Sequence, residues 1–274
     1  MYAFGPLPRQ KRSGRVIGTH QKIDRVARRH LDKYLEERVA FPMVSKILHY
    51  EGSRGPDSIK MRSPGKDEPW HFITPSAISA DEPLFISIRD HSVNLTKALS
   101  VHDEERAAFE AAWLAHAVVD GLTPAHHEPL DEQVKDMRAS GHRKEQFRSR
   151  IIMSGDGSGK KFVQNNWRYW GAKGIMTTHT LFEAGVATTA KPLKFTGAIL
   201  KRRDIARLDE IGFEAYYAEM IHDIDALQMY QQFKADGWTR TLARQTSQKL
   251  LPMVIRAVTL AWYDAYMKAL EEKK

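Results

Sequence analysis

The segment 103–122, DEERAAFEAAWLAHAVVDGL, carries the strongest helical pattern in the chain and constrains the fold more than any other stretch. Acidic residues open the segment and Gly121 closes it, as is typical of the two ends of an α-helix. The residues next to His116 are almost all apolar, which predicts that this part of the helix is buried. A buried histidine or carboxylate has to be paired or bound to a metal. His116 and Asp120 are therefore candidate functional residues.

Apolar residues recur at helical spacing along most of the chain. Long alternating runs of the kind that build a sheet are absent, so the sequence predicts an all-α fold. The 274 residues are enough for one sizeable core, and we expect a single helical domain over 16–274 after a flexible basic arm at 1–15. Besides the helix at 103–122, the spacing predicts helices at 19–35, 38–50, 81–100, 175–187, 203–235 and 238–270.

Two stretches break this helical pattern. Glycine and proline mark 51–69 as a long loop. The polar, glycine-containing segment 131–165 predicts a surface insertion that is partly mobile. Its SGDGSGKK run does not match a phosphate-binding loop, because the spacing is one residue short and no serine or threonine follows the lysine. We interpret Trp167, Tyr169 and Trp170 after it as core residues, with base stacking or a lipid interface as alternatives.

Composition limits the chemistry that the chain can support. There is no cysteine, so a transition-metal site here must use nitrogen and oxygen ligands. The net charge of +8 suits an anionic partner such as a phosphate, a nucleic acid or an acidic membrane surface. No apolar run reaches the length of a signal peptide or of a membrane span. We expect a soluble, cytoplasmic protein without stable insertion into a membrane.

Histidines recur at a spacing that suits metal binding. His116 and Asp120 are four residues apart, as are His179 and Glu183, so each pair lies on one face of its helix. The simpler interpretation of such a pair is a surface contact worth about 0.2–0.5 kcal/mol. Three further histidines and one loop carboxylate are also candidates, although a lone loop aspartate is more often a turn former: His20, His71, His126 and Asp57.

The motif HAVVDGLTPAH, from His116 to His126, has the form His-x-x-x-Asp-x-x-x-Pro-x-His. It resembles the signature of the zinc-dependent phospholipases C and the related single-strand-specific nucleases, which are all-helical and hold three zinc ions. The family's other ligands find matches in the same order along this chain, at His20, Asp57, His71, His179 and Glu183.

The resemblance implies a division of these residues among the ions. The first zinc would be held by Asp57, His71, His116 and Asp120, and the second by His126, His179 and Glu183. The third would be held by His20 and Asp120, with Asp120 bridging. Asp57 would also orient the attacking water and would be the catalytic residue.

The chain also departs from the family pattern. The family completes the third site with an N-terminal tryptophan, and no tryptophan precedes His20 here. The segment 131–165 lengthens the interval between His126 and His179. His127 competes with His126 for the ligand position, and the place after Pro124 and one further residue favours His126.

The sequence thus predicts a zinc-dependent phosphodiester hydrolase that uses two or three zinc ions to activate water. The substrate stays open between a phospholipid and a nucleic acid. The basic charge favours a nucleic acid, whereas the His-x-x-x-Glu form favours a phospholipid. Two alternatives remain. One is a non-catalytic protein that is stabilised by metal or binds an anion, and the other is a purely structural helical protein.

Overall fold

The computed structural model describes the residues of seven stretches: 18–51, 55–56, 72–128, 133–134, 137, 152–190 and 195–272. Within them the chain is helical and has no strand, which confirms the predicted all-α class. The predicted arm at 1–15 and almost all of the predicted loop at 51–69 lie outside the described residues.

Ten α-helices, numbered in chain order, make up this part of the chain. Their bounds are α1 Thr19–Leu31, α2 Val44–Glu51, α3 Pro83–Ser100, α4 Glu104–Gly121, α5 Gly159–Trp170, α6 Ile175–Ala190, α7 Arg202–Asp225, α8 Met229–Asp236, α9 Arg240–Gln245 and α10 Leu251–Glu271. A 3-10 turn, Pro124–His127, follows α4 directly and carries His126.

Helix α4 forms where the sequence predicts it and lies in the centre of the fold. The Asp103 side chain caps it by accepting a hydrogen bond from the Arg106 backbone N–H at 2.9 Å. Helices α1, α2, α3 and α10 all pack against α4. The indole Nε1 of Trp262, on α10, donates to the Ala111 carbonyl at 2.9 Å inside the core. The histidine and carboxylate of α4 are therefore held on a helix that is surrounded by others.

Several predicted boundaries differ from the observed ones because local backbone geometry ends helices that the apolar spacing would continue. The first helix stops at Leu31 and gives way to a 3-10 turn, and the second covers only Val44–Glu51. The predicted helix at 203–235 is interrupted twice: α7 is kinked at Gly212, where φ is +75°, and α7 is separated from α8 at Gln228, where φ is +49°. The predicted helix at 238–270 is also two helices, joined by a π-helical turn over Thr246–Leu250.

The predicted surface insertion over 131–165 is helical in its last part, which the sequence did not predict. Residues 159–165 belong to α5, and Ser158 caps this helix by accepting a hydrogen bond from the Lys161 backbone N–H. Beneath the helix lies a small hydrophobic cluster of its own, made of Val134, Met137, Met153 and Tyr169. The polar composition of the segment reflects a solvent-facing helix rather than a loop.

The interpretation of the α5 aromatic residues as core was right for one of three. Tyr169 is buried, whereas Trp167 is 71% exposed and Trp170 is 44% exposed. The cause is that α5 turns its asparagines inward, where Asn165 Nδ2 donates to the Ser154 carbonyl at 2.6 Å. Hydrogen bonding of the amide thus decides which face of the helix is buried, and the tryptophans point to solvent.

Gly121, at the end of α4, allows Tyr217 to approach the backbone, and Tyr217 Oη donates to the Val118 carbonyl at 2.9 Å. A Cβ at position 121 would overlap Tyr217 Oη, so we expect Gly121→Ala to lower the free energy of unfolding by about 1–3 kcal/mol. Urea denaturation followed by circular dichroism measures this loss. Gly159→Ala is the matched control because a Cβ there meets open space. Equal stability of both variants would contradict the close approach.

No helix in the described ranges is both long enough and apolar enough to cross a membrane.

Candidate metal centre

The first group of potential ligands joins three helices through the Glu51 carboxylate, at the end of α2. Its Oε1 atom lies 2.9 Å from His116 Nδ1 on α4 and 3.4 Å from His20 Nδ1 on α1. The two imidazole rings stack with their centroids 4.3 Å apart. All three side chains are buried, and their ligand atoms lie within 4.8 Å of one another, so this group can hold a metal ion.

The second group consists of His126, His179 and Glu183, which the sequence also places together. Glu183 Oε1 lies 3.2 Å from His126 Nε2 and 3.3 Å from His179 Nε2. The two rings are nearly parallel, at 8°, with their centroids 5.1 Å apart. The 3-10 turn after Pro124 brings His126 to α6, and the Phe72 ring packs beside both imidazoles. This buried group can also hold a metal ion.

Asp120 lies between the two groups. Its Oδ2 atom is 3.2 Å from His116 Nε2, and its Oδ1 atom is 3.5 Å from His20 Nε2 and 3.7 Å from His126 Nδ1. One carboxylate thus faces histidines of both groups. The i, i+4 spacing on α4 produces this arrangement because it turns Asp120 toward the same side as His116.

Asp24 is a further buried carboxylate beside the first group. It is 1% exposed, and neither of its carboxylate oxygens accepts a hydrogen bond within the part of the chain that the structure describes. Burial, and after it the charge of Glu51, raises the pKa of Asp24 well above the usual value. A buried carboxyl group without a donor fits a site where a cation balances the carboxylate.

His126 and His127 are neighbours in the sequence but have different roles in the fold. His127 Nε2 donates to the Gly121 carbonyl at 2.9 Å, and its ring is therefore turned away from the ligand group. Burial lowers the pKa of His126 to about 4. The His126 imidazole is consequently neutral near pH 7, which is the form that binds a metal.

Six of the eight residues that the sequence predicts as ligands come together in this centre: His20, His116, Asp120, His126, His179 and Glu183. The other two, Asp57 and His71, lie outside the described residues. The resemblance assigned His20 and His116 to different ions, whereas the structure stacks them on the same carboxylate.

Sequence reasoning missed Glu51 and Asp24. Asp24 lies four residues after His20, the spacing that marked the other two pairs.

A surface cleft of the described residues lies elsewhere. It is formed by α7, α10 and the turns beside them, and its charged lining consists of Lys201, Asp223, Lys249 and Arg256. None of these residues belongs to the ligand groups. The candidate centre is therefore defined by the chemistry and spacing of its donor atoms and not by the shape of a cavity.

Comparison with known proteins gave no relative. No family model matches the chain, and no curated protein or solved structure matches it either. What is established is thus an all-helical fold that encloses two buried histidine–glutamate groups able to hold metal ions.

Proposed function

We propose that this protein is a zinc-dependent phosphodiester hydrolase with a centre of two or three metal ions. The position of Asp120 between the two histidine–glutamate groups carries the proposal, because a shared carboxylate holds neighbouring ions close together. Imidazole nitrogens and carboxylate oxygens are ligands that zinc accepts. The HAVVDGLTPAH motif, with its resemblance to the phospholipases C and nucleases, supports the same chemistry.

The residues of the chain have distinct parts in this proposal. His20, Glu51 and His116 would hold one ion, His126, His179 and Glu183 another, and Asp120 would bridge. Neighbouring zinc ions supply a hydroxide near neutral pH and a clamp for phosphate oxygens. The second group is the more accessible one, since His179 is 8% exposed whereas His20 and Glu51 are fully buried. We therefore infer that substrate approaches from the side of α6.

A metal-stabilised protein without turnover is the second candidate function. The complete burial of the first group favours it, because a structural metal site needs no open coordination position. The two candidates share their ligands and differ in whether a substrate reaches the second group.

Metal analysis and activity assays test the proposal together. Protein purified without added zinc should contain at least one transition metal ion per chain and should hydrolyse one of three substrates. These are a chromogenic phosphodiester, single-stranded DNA and a phosphatidylcholine emulsion, and the active one identifies the substrate class. A chelator should remove the activity and zinc should restore it. Metal without turnover on any of them would support the structural role, and less than one ion per chain with none regained on zinc addition would overturn both.

A pair of neighbouring variants separates ligation from general damage to the fold. His126→Gln should lower activity at least about 100-fold, because it removes a ligand of the more accessible group. His127→Gln alters an equally buried residue that contacts the Gly121 carbonyl and the Asp225 carboxylate and lies outside both groups, so its activity should stay within a few-fold of wild type. Similar activities of the two variants would contradict the assignment of His126.

A further inference from the structure

Helix α5 carries an exposed apolar stripe, which we call the aromatic face and define as Val163, Trp167 and Trp170. The spacing i, i+4, i+7 places the three side chains on one side of the helix. They are 66%, 71% and 44% exposed, and Phe162 beside them is 44% exposed. Single exposed apolar residues are common, but a contiguous stripe with two tryptophans marks an interaction surface.

The orientation of the aromatic face is fixed by hydrogen bonds on the opposite side of the helix. Asn166 Nδ2 donates to the Met153 carbonyl at 2.9 Å, and its Oδ1 accepts from the Met153 N–H at 3.0 Å. Asn165 bonds to the Ser154 carbonyl, and Tyr169 is buried in the small cluster beneath. Turning the tryptophans inward would break these three hydrogen bonds. The exposure of the aromatic face is thus built into the fold.

The charged residues of α5 itself are all cationic. Between Asp156 and Glu183 the sequence contains four cationic residues, Lys160, Lys161, Arg168 and Lys173, and no acidic one. Lys161 pairs with Asp156 at 2.8 Å, while Lys160 and Lys173 are exposed at the two ends of the helix. A surface that combines apolar aromatic residues with flanking cations complements an anionic surface that also has an apolar layer.

We propose that the aromatic face docks this protein onto a lipid bilayer that contains anionic lipids. Tryptophan is enriched at the boundary between headgroups and hydrocarbon, where its ring is buried and its N–H stays hydrated. Helices that lie in the plane of this boundary turn aromatic residues toward the lipid and use lysine or arginine for attraction to anionic headgroups. Cations near the surface add attraction to anionic headgroups. Docking goes beyond the proposed hydrolysis and does not depend on it.

Sedimentation with vesicles tests the docking directly. The protein as purified should bind vesicles of phosphatidylcholine with about one third phosphatidylglycerol, and its tryptophan emission should shift to shorter wavelength. The Trp167→Ser/Trp170→Ser double variant should bind at least about tenfold more weakly. Lys160→Gln/Lys173→Gln should weaken binding several-fold, and added salt should remove this difference. Val93→Ser, on α3, is the matched control because Val93 is 61% exposed away from α5, and its binding should be unchanged.

Other results would overturn the proposal. The proposal fails if the wild-type protein does not bind these vesicles, or if wild type and the double variant bind equally. If size exclusion without lipid shows a dimer that the double variant loses, the aromatic face belongs to a second copy of the chain. If His126→Gln loses vesicle binding, the contact with lipid belongs to the metal centre and not to the aromatic face. If circular dichroism shows that the double variant does not fold, the vesicle binding of Trp167→Ser and of Lys160→Gln/Lys173→Gln is compared with wild type instead. Binding equal to wild type in both would overturn the proposal.

Discussion

Zinc should raise the melting temperature of the metal-depleted protein by about 8–16 °C. Two independent sites, each with zinc at about 30 times its dissociation constant, together stabilise the folded state by about 4 kcal/mol. For a chain of this size each kcal/mol corresponds to about 2–4 °C. The physical source is the repulsion among buried carboxylates, since Asp24, Glu51 and Asp120 lie within the same centre with little solvent to screen them. Calorimetry of protein dialysed against a chelator, with and without zinc, measures the shift.

Two controls make this result specific. Magnesium should give a much smaller shift, because it prefers oxygen ligands and keeps its waters, whereas this centre is rich in imidazole. Asp120→Asn should lose most of the zinc-dependent shift, because Asp120 faces histidines of both groups. A shift below about 2 °C with saturating zinc, or the same shift in Asp120→Asn, would show that the histidine–glutamate groups do not bind the ion.

The helices that the sequence predicts best are those whose local signals agree with their packing. The pattern at 103–122 contains both an N-cap aspartate and a terminal glycine, and α4 spans Glu104–Gly121. The helix α5 was missed because amide hydrogen bonds to the backbone of Met153 and Ser154, 11 to 13 residues earlier, and not apolar spacing, fix its buried face. Such bonds depend on tertiary contacts that a local pattern does not contain.

The residues of the metal centre also divide into those that local helix spacing predicts and one that it does not. His116 with Asp120, and His179 with Glu183, were predictable because helix geometry alone places each pair on one face. His20 and Asp24 share this spacing, so the sequence contained a signal for Asp24. No local pattern in the sequence marked Glu51, because it meets His116 across 65 residues of sequence and only through the packing of α2 against α4.

Glu51→Gln should therefore remove about one metal ion per chain while the second group keeps its own. The carboxylate oxygen of Glu51 lies within 3.4 Å of both histidines of the first group, and an amide oxygen is a much poorer ligand for zinc than a carboxylate. We expect the affinity of the first group to fall at least about 100-fold. The zinc-dependent rise in melting temperature should fall to about half of the wild-type value, because each saturated site contributes independently to stability.

Glu110→Gln is the control that tests whether burial alone explains such a loss. Glu110 is as fully buried as Glu51 and also contacts a histidine, with its Oε2 2.6 Å from His91 Nδ1, but it lies outside both ligand groups. Its substitution should lower the melting temperature of the metal-depleted and zinc-loaded forms by the same amount and leave the metal content unchanged. Metal loss in both variants would mean that any buried glutamate of this core is needed for the fold. Metal loss in Glu51→Gln alone would identify Glu51 as a ligand, since the two residues share burial and a histidine partner and differ in their place at the centre.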